Sequence, residues 1–213
     1  MSVTERKKEK VKIIFVGSCG VGKTCIIRKF VENSFNENSL SSEGMSSYEN
    51  TIEINDKKII CDIWDTAGQE QYRSICTFFY KGSSVACLVY DITNKKTFED
   101  IKEVWLPDLE ENGEKDVIKI IVGNKCDLYE DEEIPEQEVR KYAEENNINL
   151  FLVSAKHGDG IKELFDEIAK KYLEIFFGEK IERKNTFKID DNRDENDKNQ
   201  KEKKKRKCCH SST

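Results

Sequence analysis

No stretch of this 213-residue chain approaches the ~18–20 consecutive apolar residues that a membrane-spanning helix needs. Its first ten residues, MSVTERKKEK, lack the apolar centre of a secretory signal peptide. The expectation is a protein that starts out in the cytosol. The eight cysteines lack metal-ligand spacing: six stand singly (Cys19, Cys25, Cys61, Cys76, Cys87 and Cys126) in segments that read as core. That scatter points to free thiols in a reducing compartment rather than to a disulfide framework. There is no internal repeat, and the length suits one domain with an appendage.

The net charge of -6 is unevenly placed. Residues 178–213 carry 12 Lys/Arg against 8 Asp/Glu, which leaves -10 on residues 1–177. An acidic globule argues against nucleic acid as the domain's partner, while a basic end favours an anionic membrane surface.

Strand-like and helix-like runs alternate to about residue 177. Strands are expected over 11–16, 48–54, 59–64, 85–90, 118–122 and 150–153, and a polar turn at 55–58 joins the second and third as a hairpin. The 85–90 and 118–122 runs are continuously apolar, as in strands buried on both faces. Helices are expected over 23–32, 72–80, 97–112, 135–146 and 161–177. In the last, Ile161, Leu164, Phe165, Ile168, Tyr172 and Ile175 recur at helical spacing. The pattern implies an α/β fold: a mostly parallel six-stranded sheet with one antiparallel hairpin and helices on both faces. In such sheets ligands bind beyond the carboxyl ends of the strands. After Gly178 the sequence turns Asp/Asn/Lys-rich and reads as a disordered tail, so residues 9–177 are taken as the domain and 178–213 as its appendage.

Four motifs lie at those strand ends. Gly17-Ser18-Cys19-Gly20-Val21-Gly22-Lys23-Thr24 matches G-x-x-x-x-G-K-[ST] between a strand and a helix. Backbone N–H groups of such a turn face phosphates, the lysine adds a point charge, and the Thr24 hydroxyl suits Mg²⁺. Asp65-Thr66-Ala67-Gly68-Gln69-Glu70 follows the third strand, 41 residues beyond Thr24. Asp65 is placed to serve the same metal ion. Gly68 can bring its N–H to a γ-phosphate with no Cβ in the way, and Gln69 can orient a water. Asn124-Lys125-Cys126-Asp127 follows the 118–122 strand. Its carboxylate can accept from guanine N1–H and the 2-amino group, neither of which adenine offers, and sites of that kind discriminate by ~10⁴–10⁵. Ser154-Ala155-Lys156 would meet the base from the other side.

These motifs, in this order, resemble those of the Ras superfamily of small GTPases, over about residues 9–177. Leu88-Val89-Tyr90-Asp91-Ile92-Thr93, Tyr72-Arg73-Ser74-Ile75 and Phe79-Tyr80-Lys81-Gly82 are similar to Rab segments. No insert of the Rho kind follows Asp127, and the N-terminus lacks the glycine that Arf proteins acylate. The P-loop NTPase sandwich is the fold this resemblance implies, and GTP or GDP with Mg²⁺ are its ligands. Lys23 and Gln69 would be catalytic. Ser18, Cys19, Gly20, Val21, Gly22, Lys23, Thr24, Cys25 and Gly68 would surround the phosphates. Phe35, Asn124, Lys125, Asp127, Leu128, Ser154, Ala155 and Lys156 would surround the base. Thr24, Ser42 and Asp65 would serve the metal. An exchange factor, a GTPase-activating protein, a GDP-dissociation inhibitor and effectors are the implied partners of a monomer that works on an endomembrane.

The chain departs from the family in several places, among them Glu43, a charge where the family has an apolar effector residue. Ser42 falls where the family has a threonine, 19 residues after Lys23 and 23 before Asp65, and a serine lacks the methyl that helps fix χ1. Ser47 replaces the phenylalanine of an aromatic trio completed here by Trp64 and Phe79. Cys19 stands where the family carries glycine or serine, so slow intrinsic hydrolysis with Gln69 intact is expected. In the tail, six basic residues and one acid at 201–207 precede Cys208-Cys209. A double prenyl anchor on Cys208 and Cys209 beside that run would hold the membrane stably. The rival reading is a scaffold that binds GTP or GDP but barely hydrolyses or switches.

Overall fold

Continuous apolar runs form the centre of the sheet. The computed structural model describes residues 9–37, 45–54, 57–66 and 78–178. In chain order the elements are β1 (Glu9–Val16), α1 (Lys23–Glu32), β2 (Ser46–Ile54), β3 (Lys57–Asp65), β4 (Val85–Asp91) and α2 (Lys95–Asp100). A π-helical turn (Ile101–Trp105) runs on into α3 (Leu106–Asn112). Then come β5 (Ile118–Asn124), a 3₁₀ turn (Cys126–Asp131), α4 (Glu136–Glu145), β6 (Asn149–Leu152) and α5 (Ile161–Phe177). The sheet order is β2-β3-β1-β4-β5-β6, antiparallel between β2 and β3 and parallel elsewhere. The expected architecture is the observed one.

Every residue of β4 is buried, and nearly every one of β5. Alternate side chains of β1 divide between two cores: Ile13 and Phe15 pack with α1 and α5, and Ile14 and Val16 with Tyr80, Phe98 and Trp105. α5 buries Ile161, Leu164, Phe165, Ile168 and Tyr172 as its spacing predicts, and Phe165 stacks on Phe30 of α1 at 3.6 Å. Ile175 is a correction. It is 56% exposed at the helix end, and Ala169 and Leu173 complete the buried stripe instead.

Two further expectations are corrected. β3 begins at Lys57 rather than Ile59, pairing Ile54 with Lys57, which leaves a two-residue connection where four were expected. Glu53 and Lys58, opposite in that register, form an ion pair at 2.8 Å, so the polar residues of the supposed turn extend the ladder. Cys126 is disulfide-bonded, whereas Cys19, Cys25, Cys61 and Cys87 are thiols. Most of the helix expected at 72–80 lies outside the described residues.

Parallel pairing aligns the strand ends. Phe15 of β1 faces Asp65 of β3, and Asp91 of β4 faces Asn124 of β5. The described residues that follow β1, β5 and β6, with Asp65 and Thr66 at the end of β3, therefore meet at one edge of the sheet.

Candidate functional site

At that edge lies a cavity of about 350 Å³. Its phosphate-loop wall begins at Gly17, whose φ of 145° lies in the region that favours glycine. A Cβ there would sit 2.2 Å from the Val89 carbonyl oxygen, so the loop can cross β4 closely only with glycine. Lys23, the first residue of α1, is buried, and its Nζ donates to the Gly17 carbonyl at 2.7 Å and the Ser18 carbonyl at 3.0 Å. The ammonium is thereby held over its own loop. A Cβ on Gly20 would meet no atom within 4 Å, and Gly20 opens into the cavity.

Beside the lysine, Thr24 Oγ1 donates to Asp65 Oδ2 at 2.6 Å, and Asp65 is 1% exposed. Thr66 Oγ1 donates to the Phe15 carbonyl at 2.6 Å, which fastens the chain leaving β3 against β1. A hydroxyl and a carboxylate in contact are hard oxygen donors of the kind Mg²⁺ prefers. That ion binds through one or two protein oxygens and completes its shell with phosphates and water. Among the described residues no group of three or more His, Cys, Asp or Glu could hold a metal by itself.

The opposite wall is built from side chains. Asn124 donates through Nδ2 to the Val21 carbonyl at 2.8 Å and accepts at Oδ1 from the Ala155 N–H at 3.2 Å. One amide thus ties together the loops after β1, β5 and β6. A Cβ on Gly22 would lie 2.3 Å from that Nδ2, so the tie also requires a glycine. Lys125 adopts a left-handed φ of 66°, with its Nζ 2.5 Å from Asp91 Oδ2. Asp127 Oδ1 accepts from Ser154 Oγ at 2.6 Å, and the same Ser154 oxygen accepts from the His157 N–H at 3.1 Å. The carboxylate is clamped in one orientation with most of its surface covered. Phe35 and Leu128 supply half-exposed apolar flanks, and Lys156 pairs with Glu37 at 3.4 Å near the mouth.

Of the expected residues, Cys19, Gly20, Gly22, Lys23, Thr24, Cys25, Phe35, Asn124, Lys125, Asp127, Leu128, Ala155 and Lys156 all line this cavity. Asp65 joins them through Thr24 and Ser154 through Asp127. Val21 contributes its carbonyl to the Asn124 tie. The Ser18 hydroxyl turns outward instead and donates to Asp100 Oδ2 at 2.8 Å. Ser42, Gly68, Gln69, Cys208 and Cys209 lie outside the described residues. Sequence reasoning missed Asn36, Glu37 and Thr66 on the wall, and Asp91 and His157 behind it. Asp91 carried a signal, since a carboxylate ending a buried strand needs a partner.

Sheet, lysine cradle and clamped carboxylate together define a P-loop nucleotide-binding protein. Residues 12–174 match the Ras family model. The chain is 40% identical to Ras-related protein Rab-8B of Homo sapiens over 162 residues, 76% of this chain and 78% of that protein. It is 38% identical to Ras-related protein Rab-13 of Canis lupus familiaris over 162 residues, 76% and 79% of the two chains. With Rab-13 of Bos taurus the figures are 37% over 174 residues, 82% and 85%. The protein belongs to the Ras family and is a small GTPase of Rab type.

Proposed function

We propose that this GTPase cycles between GDP and GTP, hydrolyses slowly by itself, and in the GTP state recruits effectors to a trafficking membrane. The observation that carries the reading is the pairing, across one cavity, of the Ser154-clamped Asp127 with the Thr24–Asp65 pair beside Lys23. The first would select guanine, and the second would meet the phosphates through Lys23 and the metal ion that Thr24 and Asp65 would hold.

Asp127 accepts from the base N1–H and 2-amino groups, in an orientation already set by Ser154, while Phe35 and Leu128 cover the ring faces. Lys23, steadied by two carbonyls, places positive charge where it builds on the phosphates during in-line attack. Gln69 orients the attacking water, and Gly68 brings its N–H to the γ-phosphate. Thr24, Asp65 and Ser42 would hold Mg²⁺, which would supply positive charge to the phosphate oxygens. Cys19 borders this space with an exposed side chain, and a side chain at that position would slow hydrolysis and hinder an arginine that an activating protein supplies. Turnover therefore depends on that partner.

On the outer face, Ser47 of β2 stands opposite Trp64 of β3, whose ring lies 5.2 Å from Phe79. A serine there removes one aromatic anchor of the kind that dominates interfaces, so the effectors differ from those of relatives with a full trio. Prenyl groups on Cys208 and Cys209 attach the protein to the cytoplasmic face of an endomembrane.

Nucleotide exchange with Mg²⁺ present tests the reading, with GTP and ATP analogues in competition. Strong preference for GTP is expected, and preference for the ATP analogue would overturn it. Single-turnover hydrolysis by the unaltered chain and by Gln69→Leu separates a cycling switch from a scaffold. A slow rate that the substitution abolishes supports the switch, and equal rates support the scaffold.

A further inference from the structure

Ser18 lies in the phosphate loop but is not among the residues lining the cavity. Its hydroxyl donates to Asp100 Oδ2 at 2.8 Å, and the same oxygen accepts from Trp105 Nε1 at 3.3 Å. The two partners lie 82 and 87 residues away in sequence. They reach one atom because of a local irregularity. In an α-helix, at ~100° per residue, positions five apart point roughly 140° away from each other. Between Asp100 and Trp105 the helix is a π turn, closed by the Leu106 N–H on the Ile101 carbonyl. That wider turn brings positions five apart toward the same side of the helix. Pro107 follows immediately, and its ring would collide with the Glu103 carbonyl in an unbroken α-helix, which accounts for the widening.

We infer that Ser18, Asp100 and Trp105 form a positioning device for Lys23, which sets how strongly the site grips the β- and γ-phosphates. Ser18 accepts from Lys23 Nζ through its carbonyl at 3.0 Å, while its side chain is tethered on the far side. The tether therefore fixes the direction of a carbonyl that accepts from the ammonium. Asp100 is itself oriented by Lys96 at 2.9 Å, and Trp105 is 2% exposed, packed in the core beneath the loop. The device is anchored in the helix after β4, outside the cavity wall. It acts on the phosphates through Lys23 and has no route to the base.

This inference rests on the guanine-nucleotide reading of the site. Its test is the ratio of GDP to GMP affinity, measured with the full chain and with Ser18→Ala, Asp100→Ala and the double variant. A shortened nucleotide does not reach the lysine, so loss of the tether should lower GDP affinity by about tenfold, the order of one charge-assisted hydrogen bond, and leave GMP affinity unchanged. The double variant should lose no more than the larger single loss, since both changes break one link. Asp100→Asn keeps an acceptor for the Ser18 hydroxyl and should lose less than Asp100→Ala. Trp105→Phe keeps the buried ring without its donor, and should lower the ratio in the same sense if the tether is real. Equal falls in GDP and GMP affinity, an unchanged ratio, or additive losses in the double variant would each overturn the proposal. Failure of the unaltered chain to prefer GDP over ADP would instead overturn the reading of the site.

Discussion

The two ends of the cavity are held by different means. At the base end, side chains brace one another: Ser154 clamps Asp127, and Asn124 joins three loops through a single amide. At the phosphate end the holding groups are mostly backbone, with two carbonyls under Lys23 and glycines at positive φ. A wall of interlocked side chains can choose between bases, because each lost partner leaves a buried polar group unsatisfied. A wall of backbone groups accepts any polyphosphate and grips it according to the charge set above it. We therefore propose that selectivity and grip are separable in this molecule.

Removing the charge should separate them most. Lys23→Ala is expected to weaken GDP by about 10²-fold, the order of two hydrogen bonds to a charged group, while GMP binding falls far less. Competition against a fluorescent guanine nucleotide would measure both. Equal losses would mean that the two ends are not independent.

Asn124→Ala should damage both ends together, since that amide bonds to the phosphate loop and to the loop after β6. Leaving the Val21 carbonyl and the Ala155 N–H without partners costs about 2 kcal/mol. In a chain of this size that lowers Tm by about 4–8 °C. A fall in guanine selectivity with unchanged Tm would show that Asn124 contacts the base and does not brace the loops.

Ser154→Ala frees one oxygen of Asp127. GDP and GMP should weaken alike, by about tenfold, the opposite of the pattern expected for Ser18→Ala. Direct titration of both nucleotides checks it, and a loss confined to GDP would erase the contrast.

How far the site could be read from the chain follows the same division. β4 and β5 are legible because strands buried on both faces appear as unbroken apolar runs, and the Lys23 loop because its glycines and lysine are contiguous. The places of Asp127 and Thr24 on the cavity wall are legible because both follow buried strands within contiguous motifs. The roles of Asn124 and Ser18 are not legible, since each depends on partners brought up by sheet order or by a π turn. The two-residue connection between β2 and β3 was hidden because Lys57 and Lys58 look like turn residues until Glu53 is seen opposite Lys58. Ile175 fits the helical period of α5, yet the helix there has run past the core that the stripe covers.

The smallest effect concerns thiols in and away from the cavity. Burial pushes the Cys61 thiol from an ordinary 9.0 up to about 12, and raises that of Cys87 too. Both stay protonated in the folded chain while unfolded thiols ionise. Stability contributed by their burial is whole below about pH 9 and declines above it, by about 1.4 kcal/mol per pH unit for each thiol. Cys61→Ala should flatten that alkaline decline in urea titrations at pH 8 and 10. At pH 8, alkylation should reach exposed Cys19 in the folded protein and spare Cys61 and Cys87.

We propose that Asp127, held by Ser154, chooses the base, and exchanging the base for one that an amide can pair with tests this most directly. Affinities of the unaltered chain and of Asp127→Asn should be measured for GDP and for xanthosine diphosphate, whose 2-oxo group accepts from the new amide. A crossover is expected, with GDP weakened by 10³-fold or more and the xanthine nucleotide strengthened. Parallel loss of both nucleotides, or no loss of either, would contradict the account.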